Sequence, residues 1–197
     1  MLKVALTGGI ATGKSYVLAR LKDRNVPTID ADNIVHDAFG PGTATTRKIA
    51  AKFGDVFLKA DGSVHRARLG EHVFRDAAAR QQIESIVHPV VWDTIQKWFD
   101  DLNQPMGVAS IPLLYETNHE GDFDFVIVTL CPPQVQLQRI LDRDRLSEEQ
   151  ALQRIAAQIP AQEKANRANF VIQTGGTMAA TDRQVDELLS TLQTVRT

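Results

Sequence analysis

The sequence predicts an α/β fold: an open, five-stranded parallel sheet flanked by helices, with a helical insertion and a helical lid. Three observations carry this. Short apolar runs bounded by Gly, Pro or Asp recur along the chain, without the polar alternation of half-exposed strands. Segments with apolar residues three and four apart lie between them, as expected of helices crossing over a parallel sheet. The first run leads directly into Gly8-Gly9-Ile10-Ala11-Thr12-Gly13-Lys14-Ser15, a glycine-rich turn of the form that cradles phosphate.

The strand candidates are Val4–Thr7, Thr28–Asp30, Val108–Ile111, Phe125–Leu130 and Phe170–Ile172. Val17, Leu18 and Leu21 share a helix face, as do Ile83, Ile86, Val87, Val90 and Val91, and again Leu137, Ile140 and Leu141. Ser147-Glu148-Glu149-Gln150 reads as a capping box that opens a helix with Leu152 and Ile155 inward. Thr181-Asp182-Arg183-Gln184 reads as a second, opening a C-terminal helix that carries Val185, Leu188, Leu189 and Leu192. Two stretches exceed a simple crossover. Residues 34–103 offer no convincing strand, and residues 134–167 are helical and rich in Arg. Both read as helical insertions able to close over a ligand. The expected organisation is one domain with a core of about 1–33, 104–133 and 168–197, an insertion at about 34–103 and a lid at about 134–167.

The 197 residues are 43% hydrophobic and 23% charged, which excludes a disordered or fibrous chain. With 22 basic and 24 acidic residues the net charge is −2, so the surplus of positive charge expected of a duplex-DNA binder is absent. A single cysteine, Cys131, cannot form an intramolecular disulfide and favours a reducing compartment. The apolar run at the N-terminus is too short for a signal peptide core or a membrane span. These features predict a cytoplasmic protein with neither nucleic acid nor membrane as partner; a monomer is the expectation, with an oligomer left open, and a small-molecule partner follows from the motifs below. The five histidines lack metal-binding spacing, which argues against a structural zinc site. Trp92 and Trp98 read as packing residues of the insertion.

The glycine-rich turn has the form G-x-x-x-x-G-K-S and sits between a strand and an amphipathic helix, the context its chemistry needs. Gly8 and Gly13 permit the sharp turns that aim backbone N–H groups at phosphate oxygens. Gly9, Ile10, Ala11 and Thr12 complete the loop, and Tyr16 follows in the first helical turn. The helix from Lys14 adds its positive N-terminal end. Lys14 would reach the outer phosphates, and the Ser15 hydroxyl would ligate Mg²⁺. The expected ligand is a nucleoside triphosphate with Mg²⁺, and the fold is that of a P-loop NTPase. Asp30 and Asp32 lie just beyond the second strand, where ligands of parallel sheets bind. Either could accept a proton or hold a metal-bound water, and Asp30 could equally cap the following helix.

The chain resembles the dephospho-coenzyme A kinase family. The matching pieces are LTGGIATGKS at 6–15, IDAD at 29–32, FG at 53–54, DGSVHRARL at 61–69, VF at 73–74, IVHP at 86–89, IPLLYE at 111–116, RILDRDRLSEEQA at 139–151, AAQ at 156–158 and ANFVIQTGG at 168–176. The resemblance implies transfer of the ATP γ-phosphoryl to the ribose 3′-hydroxyl of dephospho-CoA, the last step of coenzyme A biosynthesis. It also implies a fold similar to nucleoside monophosphate kinases, whose substrate-binding insertion and lid match the two long helical stretches. Two departures stand out. Ala11 and Tyr16 replace the Gly and Thr usual in the family's loop, and Ala11 is compatible with that loop if its φ is negative. Asn169 and Gln173 stand where the family has Asp and Asn.

The resemblance supports Asp32 as the general base for the 3′-hydroxyl, acting largely by orienting it for in-line attack. Arg139 and Arg143, four residues apart on one helix face, would reach the transferring phosphoryl; a solvated face with ion pairs to Asp142 or Asp144 is the competing reading. Arg66, His88, Leu114 and Glu116 fall on the acceptor side. For His88-Pro89 the competing reading is a local helix break. Another nucleoside or nucleotide kinase of the same fold is the alternative function. A switch GTPase is disfavoured because no N-K-x-D follows the loop.

Overall fold

Val4, Ala5 and Leu6 are fully buried in the first strand, β1 (Leu2–Gly8), as its uninterrupted apolar run requires. The computed structural model describes residues 1–195. β2 (Thr28–Asp30), β3 (Met106–Ser110), β4 (Phe125–Leu130) and β5 (Phe170–Gln173) complete a five-stranded sheet in the order β2-β3-β1-β4-β5. The pairings of β1 with β3 and β4, and of β4 with β5, are parallel. All five strands fall where the apolar runs predict them.

The residues separate into two compact units. The first comprises 1–29 and the described residues from 102 onward, and the second Asp30–Asp101. Residues 134–167 belong to the same unit as the sheet.

In the first unit α1 (Lys14–Asp23) and α9 (Met178–Val195) pack together over one face of the sheet. Val17, Leu18 and Leu21 meet Val185, Leu188, Leu189 and Leu192 above Val4, Leu6, Val108, Ile127 and Ile172. An Arg24–Asp186 ion pair joins the two helices. Three further helices follow β4: α6 (Pro133–Asp144), α7 (Glu148–Ala156) and α8 (Ala161–Arg167). α8 packs on β1 and β4. The capping box at Ser147 is present as predicted, with Gln150 returning the bond. The second is not. α9 begins at Met178, one turn earlier, where the Thr177 hydroxyl accepts from Ala180 N–H. Thr181 lies inside the helix, and Gln184 bridges to both backbone groups of Gln173 instead.

The second unit holds α2 (Ala31–Ala38), α3 (Ala44–Phe53), α4 (Arg66–Arg75) and α5 (Ala77–Asp100). α5 packs against the other three. It is capped by Asp76, whose carboxylate accepts from Ala78 and Ala79 N–H. Pro89 does not break α5, which runs through it for 24 residues. Interior proline costs about 3 kcal/mol, and burial of Val87, Val91, Ile95 and Phe99 along the helix offsets it.

Candidate active site

The parallel register sets Ser110 opposite Leu6 and Thr129 opposite Gly8, so three strand ends converge beneath the loop that leaves β1. A side chain on Gly8 would collide with Thr129 and would lie 2.6 Å from Thr12 Oγ1. Gly13 caps α1 at φ 91°, and a Cβ there would press on Thr174 at 3.1 Å. Both glycines are therefore required by the fold of the loop. Thr12 pins it from beneath: its hydroxyl donates to Gly9 O at 2.8 Å and meets Thr129 Oγ1 at 2.8 Å. Thr174 Oγ1 donates to Thr12 O at 2.6 Å.

Ala11 departs from expectation. Its φ is +58°, not negative, so the loop keeps the left-handed turn that a glycine would take without strain. Side chains from the helical segment hold this part of the loop. Gln136 Nε2 donates to Ile10 O at 2.8 Å, and Ile10 N–H donates to Gln158 Oε1 at 2.8 Å. Arg139 donates to Ala11 O at 3.4 Å and to Thr174 O at 2.7 Å.

Lys14 Nζ donates to Ser110 Oγ at 2.6 Å, over the end of the strand beside β1. Ser15 stands exposed on the first turn of α1, with a hard oxygen suited to Mg²⁺ that arrives bound to phosphates. Among the described residues no group of three or more His, Cys, Asp or Glu could hold a metal ion. Tyr16 turns toward α9, where its hydroxyl donates to Asp182 at 2.9 Å.

Arg143 is paired with Asp144 at 2.7 Å, and Arg154 shares the same carboxylate at 3.1 Å. This is the ion-paired arrangement that competes with a phosphate-facing role. The hydrogen bond from Arg143 holds the Asp144 carboxyl below the usual carboxylate range. Glu116 is engaged as well: it pairs with the fully buried Lys164 at 2.7 Å and accepts from Ile159 N–H at 3.0 Å. Burial pushes the Lys164 ammonium below its ordinary range, against the opposing pull of Glu116. Leu114, expected on the acceptor side, is 0% exposed, so its side chain is core. Asn169 zips β5 to β4 through Val126, which accounts for that departure locally.

In the second unit Asp30 caps α2, its carboxylate accepting from Asp32 N–H at 3.1 Å. Asp32 stands exposed in the first turn of α2, where the helix end favours its negative charge. Arg66 opens α4 and meets His36 Nδ1 of α2 at 3.0 Å. His88 is half-buried midway along α5.

Ser110, Gln136, Gln158 and Lys164 carry no role in the sequence reading. Gln158 alone lay within a family-like piece, AAQ at 156–158. A lysine on a short helix gives no sequence sign that it is buried.

The dephospho-CoA kinase family model matches residues 2–180. A dephospho-CoA kinase of Anaeromyxobacter dehalogenans is 40% identical over 98% of this chain and 93% of its own length. One from Thermosynechococcus vestitus is 39% identical over 98% and 95%. Among solved structures, a dephospho-CoA kinase from Campylobacter jejuni superposes with a TM-score of 0.72 at 28% identity, covering 99% of this chain and 98% of that one. A shikimate kinase from Acinetobacter baumannii shares the fold alone, with a TM-score of 0.57 at 17% identity over 98% and 94%.

Proposed function

The chain belongs to the dephospho-CoA kinase family, and from that premise we propose how its residues divide the work of the reaction. The reaction is ATP-dependent phosphorylation of the ribose 3′-hydroxyl of dephospho-CoA, giving CoA and ADP. The observation that carries the assignment of roles is the loop from Gly8 to Ser15. Its glycines, its lysine and the helix it opens form a receptor for a triphosphate.

In this reading the N–H groups of the loop and the N-terminus of α1 take phosphate oxygens, and Lys14 neutralises charge that grows on the transferring group. Ser15 would hold Mg²⁺, which supplies further neutralisation when bound. Arg139, already on the loop, contributes a second fixed positive charge beside the phosphates. Arg143 joins it after exchanging Asp144 for phosphate oxygen as residues 134–167 act as a lid. Asp32 orients the acceptor hydroxyl and takes its proton as the new O–P bond forms. Arg66 and His88 serve the acceptor side. Excluding water matters because a bare triphosphate site would otherwise hydrolyse its nucleotide.

No helix among the described residues is long and apolar enough to cross a membrane. A cytoplasmic monomer that handles small molecules alone is part of the same proposal.

The test is incubation of the purified protein with ATP, Mg²⁺ and dephospho-CoA, with mass spectrometry for CoA and ADP. Nucleosides and nucleoside monophosphates serve as competing acceptors. Phosphorylation of those in preference to dephospho-CoA would favour another nucleotide kinase of this fold.

A further inference from the structure

Ile10 is held from both sides by glutamines that come from later in the chain. Gln136 takes its carbonyl and Gln158 its N–H. Their grip fixes the two peptide planes that flank Ile10, next to the left-handed Ala11. Such a backbone state persists only where its surroundings over-determine it. Gln136 is placed by α6, but Gln158 lies in the short link between α7 and α8, where no helix places it.

The neighbour of Gln158 supplies what its own segment lacks. Ile159 N–H donates to Glu116 Oε1 at 3.0 Å. Glu116 in turn meets Lys164 Nζ at 2.7 Å. Lys164 also donates to Pro112 O at 3.1 Å, and the Thr7 hydroxyl donates to that same carbonyl at 3.2 Å. A continuous set of polar contacts thus runs from β1 through the turn after β3 and α8 to the loop tip. The ammonium at its centre is 0% exposed. Stability alone does not explain such a pair, since well-packed apolar residues often replace a buried ion pair without loss.

We infer that Lys164 and Glu116 are positioning residues for the nucleotide: the buried pair fixes Ile159, Ile159 places Gln158, and Gln158 holds the phosphate loop in its binding shape. The inference rests on the reading of this loop as the triphosphate site. A loop held in shape before binding loses less freedom when the nucleotide arrives. The consequence falls on ATP affinity, because the acceptor and the transferring phosphoryl make no use of these side chains.

The experiment measures MgATP affinity by calorimetry, both Michaelis constants, kcat and Tm. The variants are Lys164→Met, Glu116→Gln, Gln158→Ala and the double variant Lys164→Met with Gln158→Ala. Each single change is expected to weaken MgATP about fivefold, the worth of one hydrogen bond. The KM for dephospho-CoA and kcat stay within about twofold, against that same measure. In the double variant the ATP affinity falls no further than in Gln158→Ala alone, although Tm falls further. If Lys164→Met does not fold, Glu116→Gln, which keeps the shape of the site, carries the same expectation. Lower Tm with unchanged ATP affinity overturns the inference, as does an additive loss in the double variant. A rise confined to the KM for dephospho-CoA in Glu116→Gln also overturns it and places Glu116 on the acceptor. Absence of MgATP binding by the unaltered protein would instead overturn the reading of the loop beneath it.

Discussion

Lys14 Nζ lies 2.6 Å from Ser110 Oγ, so the cation of the phosphate loop is held at the tip of the neighbouring strand by a neutral hydroxyl. The contact follows from the parallel register, which sets Ser110 beside Leu6, just before the loop begins.

Replacing Lys14 with Ala is expected to lower kcat/KM by about 10²–10³, the cost of losing a main electrostatic stabiliser of the transition state. Ser110→Ala should cost about tenfold, as for a hydrogen bond to a charged group. Steady-state kinetics with thermal melts distinguish this from unfolding. Near-normal turnover in Lys14→Ala would exclude the assigned role.

Asp32→Asn keeps the shape of the side chain and one acceptor while removing its charge and basicity. MgATP affinity should be preserved while kcat falls by about 10²–10⁴, the usual range for general-base loss. Turnover within twofold of the unaltered enzyme would move the search to other carboxylates, beginning with Asp30.

Arg139 and Arg143 should separate kinetically. Arg139 already contacts the loop through Ala11 O and the residue after β5 through Thr174 O, so Arg139→Ala should weaken MgATP and slow turnover together. Arg143 sits on Asp144, so Arg143→Ala should lower kcat more than it weakens ATP. Titration calorimetry set beside kcat decides it. Equal effects of Arg143→Ala on binding and turnover would contradict a contact made only on closure.

Ala11 at φ +58° carries strain of about 1–2 kcal/mol that glycine would not. Ala11→Gly gives part of that gain back as unfolded-state entropy. The net expectation is a Tm rise of about 2–4 °C, the shift that about 1 kcal/mol produces in a chain of this size. Scanning calorimetry checks it, and a lower Tm would mean that the contacts from Gln136, Gln158 and Arg139 already offset the strain.

Acid should loosen the junction of α6 and α7. Arg143 and Arg154 hold the Asp144 carboxyl below its unfolded value, so its contribution is present above the ordinary carboxylate pKa of about 4. It is lost as pH falls through the lowered folded value. Amide exchange in α6 and α7, corrected for intrinsic rates, should rise across that window. Asp144→Asn should show the faster exchange already at neutral pH. Identical exchange in the two proteins across the range would rule this out.

By itself the sequence determined where the strands lie, most plainly β1 and β4, whose apolar runs are buried through most of their length as central parallel strands require. It also determined the phosphate loop, since the chemistry of a triphosphate dictates residue types at fixed local spacing, and the capping box at Ser147, which closes within four residues. Only the tertiary structure decided what depends on distant partners. Thr181 reads locally as a cap, yet Thr177 begins α9 one turn earlier and Gln184 is drawn to the end of β5. The φ of Ala11 is set by side chains more than 100 residues away. Glu116 reads as a ligand contact until Lys164 is found buried beside it, and nothing in a lysine on a short helix announces that burial. Local chemistry is written in consecutive residues, whereas desolvation and long-range pairing exist only once the chain has folded and water has been excluded.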